Sequence, residues 1–299
     1  QTDQATGEPA VPGLVTAGLG RVGLRVPAHP VAHALLRDSR LALAAPSANR
    51  FGSISPTTAQ HVADELAGRV DFILDGGPCA QGVESTVVSV EDNVVTVLRL
   101  GATTVEQIEQ ALPGVAVHLA RPTSDPGNAS SETGSAPVSL GDAATDAALP
   151  SPGMTDRHYA PRTPLRLVTP GSSDEKGGGG LFQSGKEGGA GMASTGKTLA
   201  PFSIPAAPEG RQECLPHGLN PSADRLGLIA LGDVSRFADG FAEVRTLSAA
   251  GDLTEAAANL FAVMRELDGL GLDGIVALAV PDEGIGRAIN DRLRRASVR

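Results

Sequence analysis

Residues 191 to 198 read GMASTGKT, a match to G-x-x-x-x-G-K-T, the glycine-rich loop that cradles phosphates in many nucleotide hydrolases. That chemistry needs a buried strand to deliver the loop to a helix N-terminus, whose free N–H groups meet the phosphates while Lys and Thr reach phosphate and magnesium. Both flanks are wrong for it. The preceding GSSDEKGGGGLFQSGKEGGA holds no apolar run of strand length, and Pro201 and Pro205 forbid the helix that must follow. The match reads as chance in a Gly/Ser tract, and a phosphate site is expected elsewhere.

A better candidate lies in LAAPSANRFGSISPTT. A β-run ends at Ala45, Pro46 fixes a turn, and Ser47 and Asn49 offer small hydrogen-bonding groups. Ser55-Pro56 then opens a helix whose N-terminus is an anion site in its own right. Singly, Ser47, Asn49 and Ser55 each read as ordinary turn or cap residues; together they form a candidate phosphate site. A second glycine-rich turn follows in ILDGGPCAQGVESTVV, with Ser85 and Thr86 at the entry to the next strand. Arg25 and Arg99 sit on or just beyond β-runs. An arginine in a half-buried strand needs an anionic partner, which is either a ligand or a structural carboxylate.

The elements that must position these groups form five segments. Residues 1–120 alternate short β-rich runs with helical stretches and read as a mixed α/β unit. Its expected strands are 22–26, 41–45, 70–74, 85–90 and 94–98, the last two joined as a hairpin. Ala59, Val62, Ala63 and Leu66 share the buried face of the helix opened by Ser55-Pro56, and Thr104 with Gln107 forms a capping box for another. Residues 121–150 and 169–223 are low-complexity inserts, read as disordered. Between them, 151–168 (SPGMTDRHYAPRTPLRLV) carries His158 and the single tyrosine, Tyr159. Residues 224–299 read as a small Rossmann-like unit with strand-like LGLIAL, EVRTLS and GIVALAV and two amphipathic helices. GIGRAI (284–289) reads there as a helix start rather than a dinucleotide fingerprint, because no strand enters its glycine turn.

Composition narrows the function. A formal net charge of −10 argues against a general nucleic-acid binder. Two cysteines, Cys79 and Cys214, and no metal-ligand cluster in the sequence argue against a disulfide scaffold or zinc site and fit a reducing, cytoplasmic compartment. No apolar stretch approaches the roughly 20 residues of a membrane span.

In order along the chain, VTAGLGRVGLRVPAHP, LAAPSANRFGSISPTTAQHV, DFILDGGPCAQGVESTVV, LRLGATT and PGMTDRHYAP resemble the Sua5/YrdC family, the threonylcarbamoyl-AMP synthases. FAVMRELDGLGLDGIVALAVPDEGIGRAINDRLRRAS resembles the extra C-terminal domain of the longer, Sua5-type members. The resemblance implies an α/β fold, a YrdC-like twisted mixed sheet plus a small Rossmann-like C-terminal domain. It implies that L-threonine, bicarbonate and ATP give threonylcarbamoyl-adenylate and pyrophosphate for the t6A modification of tRNA. ATP would enter as substrate with Mg2+, and no organic cofactor is implied. Partners would be tRNA or the downstream t6A machinery, with no membrane. Carried over by residue, Arg25, Ser85 and the backbone at Ala45 would hold threonine. Ser47, Asn49, Ser55, Arg99 and Tyr159 would hold the nucleotide, with Arg21 where the family usually carries a small hydroxyl residue. His158 and Tyr159 would lie across the pocket as a gate.

The same resemblance implies that a family portion carrying the first strands and a Lys/Arg phosphate motif has no counterpart in residues 1–13. The chain is therefore expected to be an N-terminally truncated synthase. The alternative expectation is a non-catalytic remnant that binds nucleotide, threonine or RNA. A hydrogenase-maturation carbamoyltransferase would bring zinc-finger cysteine pairs that this sequence lacks.

Overall fold

The structure, a computed structural model, describes residues 11, 13–16, 21–120, 157–169, 225–237 and 240–298. The GMASTGKT stretch, residues 121–150 and, apart from Thr169, residues 169–223 lie outside these residues. In chain order the first elements are α1 (Gly13–Thr16), α2 (Pro30–Ser39), α3 (Ala59–Leu66), β1 (Val87–Glu91), β2 (Val94–Arg99), α4 (Val105–Ala111) and β3 (Ala116–Leu119). They are followed by β4 (Leu165–Val168), β5 (Leu226–Ala230), β6 (Glu243–Thr246), α5 (Leu253–Asp268), β7 (Gly274–Leu278) and α6 (Gly286–Ser297).

β1 and β2 form the expected hairpin. Its turn places Asp92 and Asn93 at φ of 44° and 64°, the left-handed values that a two-residue hairpin turn requires and that Asp and Asn tolerate. β2 pairs in parallel with β3, giving a mixed three-stranded sheet in the order β1-β2-β3. α4 starts on the expected capping box: the Thr104 side chain accepts from the Gln107 N–H while the Gln107 side chain accepts from the Thr104 N–H. Thr104→Ala is expected to lower stability by about 1 kcal/mol in urea denaturation.

Two expectations are corrected. Residues 22–26, 41–45 and 70–74 form no strand. Their sequences have β-type residues, but a strand exists only in a ladder, and among the described residues none supplies one. Their side chains are correspondingly open, with Leu24, Val26 and Phe72 at 90%, 87% and 93% exposure. The helix expected from Ser55-Pro56 starts instead at Ala59. Thr58 is its N-cap and accepts from the His61 N–H. Ser55 is drawn away from capping because its hydroxyl donates to the Glu84 carboxylate at 2.7 Å, a charge-assisted bond stronger than a neutral cap. No residue of α3 is fully buried.

The second sheet is parallel throughout, in the order β4-β7-β5-β6, with α5 crossing from β6 to β7. All three strands expected in the C-terminal segment are present, and the end of the His158-Tyr159 segment adds β4 at one edge. β5 is buried along its whole length, as a strand covered on both faces must be. α5 buries Ala256, Ala257, Leu260, Phe261, Met264 and Leu267, the stripe that its 3.6-residue period predicts. Gly286 begins α6, so GIGRAI is a helix start. The main core joins these residues to Ile54, Val83 and Tyr159, which come from the first unit and the linking segment.

Candidate active site

A cavity of about 370 Å³ opens between the 47–59 segment, the 73–84 segment and α5. Ser47, Ser55, Thr57, Asp75, Gly77 and Glu84 are among the residues that line it. Extended backbone leading into short turns brings small hydroxyls and peptide groups to one place. Asn49 sits beside them. Its amide nitrogen donates to the carbonyls of Arg50 and Ser53 at 2.9 and 3.0 Å, while its Oδ1 is buried with no donor among the described residues. A buried acceptor without a donor is uncommon and fits an atom that meets a ligand.

Two of the predicted arginines converge on one residue. Arg99, at the end of β2, donates through Nε and one Nη to the Ser85 carbonyl at 3.2 and 2.8 Å. Arg25 reaches the Ser85 hydroxyl at 3.5 Å. Burial, reinforced by Arg292 and Arg25, lowers the Arg99 pKa, although Tyr159 and Glu84 oppose that trend. A guanidinium stays charged at neutral pH even so, and the region around Ser85 is a concentration of positive charge. Gly101 crosses directly over Glu84 to Thr86, so close that a Cβ would collide with their backbone.

Below Ser85, Glu84 is held by Arg292 of α6. Arg292 is fully buried, and its Nε donates to Glu84 at 2.9 Å, one Nη to Asp291 at 2.7 Å and the other to the Leu100 carbonyl at 2.7 Å. Burial alone would raise the Glu84 pKa. The Arg292 charge and the bonds from Ser55 and Arg292 outweigh it and leave the carboxyl below its ordinary value. Glu84 is therefore a carboxylate at neutral pH.

His158 and Tyr159 close the arrangement. Tyr159 adopts φ 62°, rare for an aromatic residue, with its ring 1% exposed against Phe261 and 5.2 Å below the Arg292 guanidinium. His158 packs edge-on against Tyr159 and Phe51, and its Nδ1 is buried without a partner among the described residues. Burial, with Arg292, Arg295 and Arg99 beyond it and Glu84 opposing, lowers its pKa and keeps the ring neutral near pH 7. The strand of residues around them is pinned on both sides: the Ala160 N–H donates to Gly52 and the His158 N–H to Arg295.

Of the expected residues, Ser47 and Ser55 line the cavity, Ser85 follows Glu84 of its wall and takes Arg25 and Arg99, and Tyr159, with His158 packed on it, meets Arg292 behind Glu84. Ala45 lies just upstream of the Ser47 turn. Arg21 stands apart, bonded to Ser89 at 3.0 Å and ion-paired to Glu91 on the hairpin. Sequence reasoning missed Glu84, Arg265 and Arg292. A signal existed for the last: counting in helical steps from Ile285 through Ile289 places Arg292 on the apolar face of α6, where a lone arginine needs a buried acceptor.

Comparison with known proteins identifies the family. The Sua5/YciO/YrdC family model, described as telomere recombination, matches residues 4–101, and the model described as threonylcarbamoyl-AMP synthase, C-terminal domain, matches residues 103–298. Threonylcarbamoyl-AMP synthase of Bacillus subtilis is 34% identical over 95% of this chain and 65% of its own length. The enzymes of the same name from Pyrococcus abyssi and Schizosaccharomyces pombe are 32% and 31% identical over 96% and 97% of this chain, and 67% and 60% of their own lengths. The chain thus spans about two thirds of the length of these curated relatives. The crystal structure of P. abyssi Sua5 complexed with L-threonine is 30% identical and superimposes with a TM-score of 0.64, over 96% of this chain and 67% of that one. A second structure, of a P. abyssi Sua5 variant with an adjacent His and Tyr replaced by alanine, has a TM-score of 0.62 at 29% identity, over 96% of this chain and 66% of that one. With one family model spanning residues 103–298 and the other spanning most of what precedes it, the chain belongs to the Sua5/YrdC family of threonylcarbamoyl-AMP synthases.

Proposed function

We propose that this site joins L-threonine, bicarbonate and MgATP into threonylcarbamoyl-adenylate and pyrophosphate, the adenylate serving t6A modification of tRNA. The observation that carries the reading is the convergence of Arg25 and Arg99 on Ser85, beside a cavity lined by Ser47 and Ser55. Threonine's carboxylate would meet Arg25, with its hydroxyl and amine near Ser85 and the backbone at Ala45. Bicarbonate yields CO2 with loss of hydroxide, the amine nitrogen bonds to its carbon, and the proton the amine sheds joins that hydroxide as water, leaving a carbamate. A carbamate oxygen then bonds to the α-phosphorus of ATP as the bond to the β-phosphate oxygen breaks and pyrophosphate leaves.

Little of this chemistry needs a side-chain acid or base; it needs in-line placement and neutralised charge. Arg99 would face the phosphates. Ser47, Asn49 and Ser55 would donate to or accept from the nucleotide, with the open Asn49 Oδ1 as an acceptor for a ligand N–H or O–H. Arg21 would reach phosphate by exchanging its Glu91 partner for it. Neutral His158 and buried Tyr159 would cover the site and exclude water from a labile mixed anhydride. Work on tRNA and a reducing cytoplasm suit the same reading.

Pyrophosphate release from MgATP by the full chain is expected to require both threonine and bicarbonate, and Arg99→Ala is expected to weaken ATP binding about tenfold or more in calorimetry. Release without threonine would sink the reaction, and unchanged ATP affinity in both Arg99→Ala and Ser47→Ala would sink the site. The unpaired segments at 22–26, 41–45 and 70–74 favour a second reading, a module that binds ATP and threonine without turnover. Binding of both ligands with no pyrophosphate is its signature.

A further inference from the structure

Three arginines of the C-terminal unit reach the first unit, and their targets differ. Arg287 of α6 pairs with half-exposed Glu106 in the first turn of α4, away from the cavity. Arg265 of α5 pairs with Glu65 of α3 at 2.7 Å and donates to the carbonyls of Ile54 and, at 3.2 Å, Ser55. Arg292 takes Glu84 and the Leu100 carbonyl. Ser55 is consequently held from two sides. Its hydroxyl donates to the carboxylate that Arg292 fixes, and its carbonyl accepts from Arg265. Leu100 and Glu84 are the chain neighbours of Arg99 and Ser85, so the Arg292 fork sits under the pair that the proposed site uses.

A guanidinium with three acceptors along its fork fixes direction as well as distance. Stability alone is a poor account of such a group, because an apolar replacement of a buried ion pair is often neutral or better. We infer that Arg292, assisted by Arg265, is a positioning residue. It sets the placement of Ser55, Ser85 and Arg99 relative to one another, so that the pocket of the first unit holds its geometry only while the C-terminal unit is docked against it. The kinetic consequence rests on the proposed reaction; the structural one does not.

The test uses the full chain and three variants: Arg292→Lys, Arg265→Lys and, as a control for loss of an inter-unit contact away from the pocket, Arg287→Gln. Hydrogen exchange is read at three amides bonded to the held segments. These are Thr57, which donates to His61, Cys79, which donates to the Thr57 carbonyl, and Ala102, which donates to the Glu84 carbonyl. In Arg292→Lys these amides are expected to exchange at least about tenfold faster while those of β5 and β7 keep their protection. The rate kcat is expected to fall on the order of 100-fold with a much smaller change in KM for ATP, the mark of misplacement rather than lost binding. Arg265→Lys should give the same pattern more weakly, and Arg287→Gln should match wild type in both readouts. Unchanged exchange in Arg292→Lys, or equal effects in Arg292→Lys and Arg287→Gln, overturns the inference. Should wild type release no pyrophosphate, the proposed reaction falls and the exchange comparison alone decides the positioning role. Should Arg292→Lys fail to fold, the pair is replaced by neutral groups in Glu84→Gln/Arg292→Met. A folded double variant with wild-type exchange at Thr57, Cys79 and Ala102 overturns the inference, and fast exchange there supports it.

Discussion

Glu84→Ala is expected to destabilise the protein by about 3 kcal/mol, the low end for removing one partner of a buried ion pair, because Arg292 loses one of its two carboxylates and keeps Asp291. Arg292, fully buried, is then left with Asp291, the Leu100 carbonyl and the face of the Tyr159 ring. The same change removes the acceptor of the Ser55 hydroxyl, which is itself buried. Chemical denaturation measures the loss, and a change of less than about 1 kcal/mol would contradict the account of Glu84 as an obligatory partner. Acid should mimic the mutation. The folded-state pKa of Glu84 lies below the ordinary glutamate value of 4.5, so the contribution is present above that value. It is lost as pH falls from 4.5 through the folded-state pKa, the direction in which protons bind the unfolded chain first. In Glu84→Gln that segment of the stability-against-pH curve should flatten.

Gly82→Ala is the second large effect, expected at about 2–5 kcal/mol from left-handed strain and overpacking together. Gly82 has φ 65°, and an added Cβ would run into the Ala257 carbonyl and the Ala258 backbone of α5. Those are backbone atoms of a helix whose inner face is the core, and they cannot step aside as a side-chain tip could. Relief requires the 82–84 segment to lift from α5, which would carry Val83 out of the core and Glu84 from Arg292. Thermal melting should therefore show a large drop, and Gly82→Ala combined with Glu84→Ala should cost less than the sum of the two, since each releases the same segment.

Much of the fold was readable where a local rule and the tertiary structure agree. The hairpin at 87–99 follows from its β-branched runs and an Asp-Asn turn, the capping box at Thr104 from a spacing of three, and α5 from one continuous apolar stripe. The segments at 22–26, 41–45 and 70–74 were misread because β-type composition reports a side-chain preference, whereas a strand depends on a neighbour that composition cannot supply. Ser55 shows a competition of the same kind: its place before Pro56 spells a cap, but a carboxylate 29 positions away binds it instead. Site residues were found from short polar turns, and the groups that hold them were missed. Glu84 and Arg292 are 208 positions apart, so even the arginine that stands out on the apolar face of α6 does not name its partner from sequence.

That separation has a consequence for synthesis. A ribosome adding about 5–20 residues per second needs roughly 10–40 s to pass from Glu84 to Arg292. For most of that interval the nascent 82–86 segment has no α5 to rest on, and for all of it no Arg292 to meet the Glu84 carboxylate. Vectorial folding of the first unit must then proceed without the pocket wall, and the wall is completed only when α6 arrives. A chaperone or protease meeting the chain before that moment would encounter an open Ser55–Glu84 segment, which makes the arrival of α6 the step that closes it.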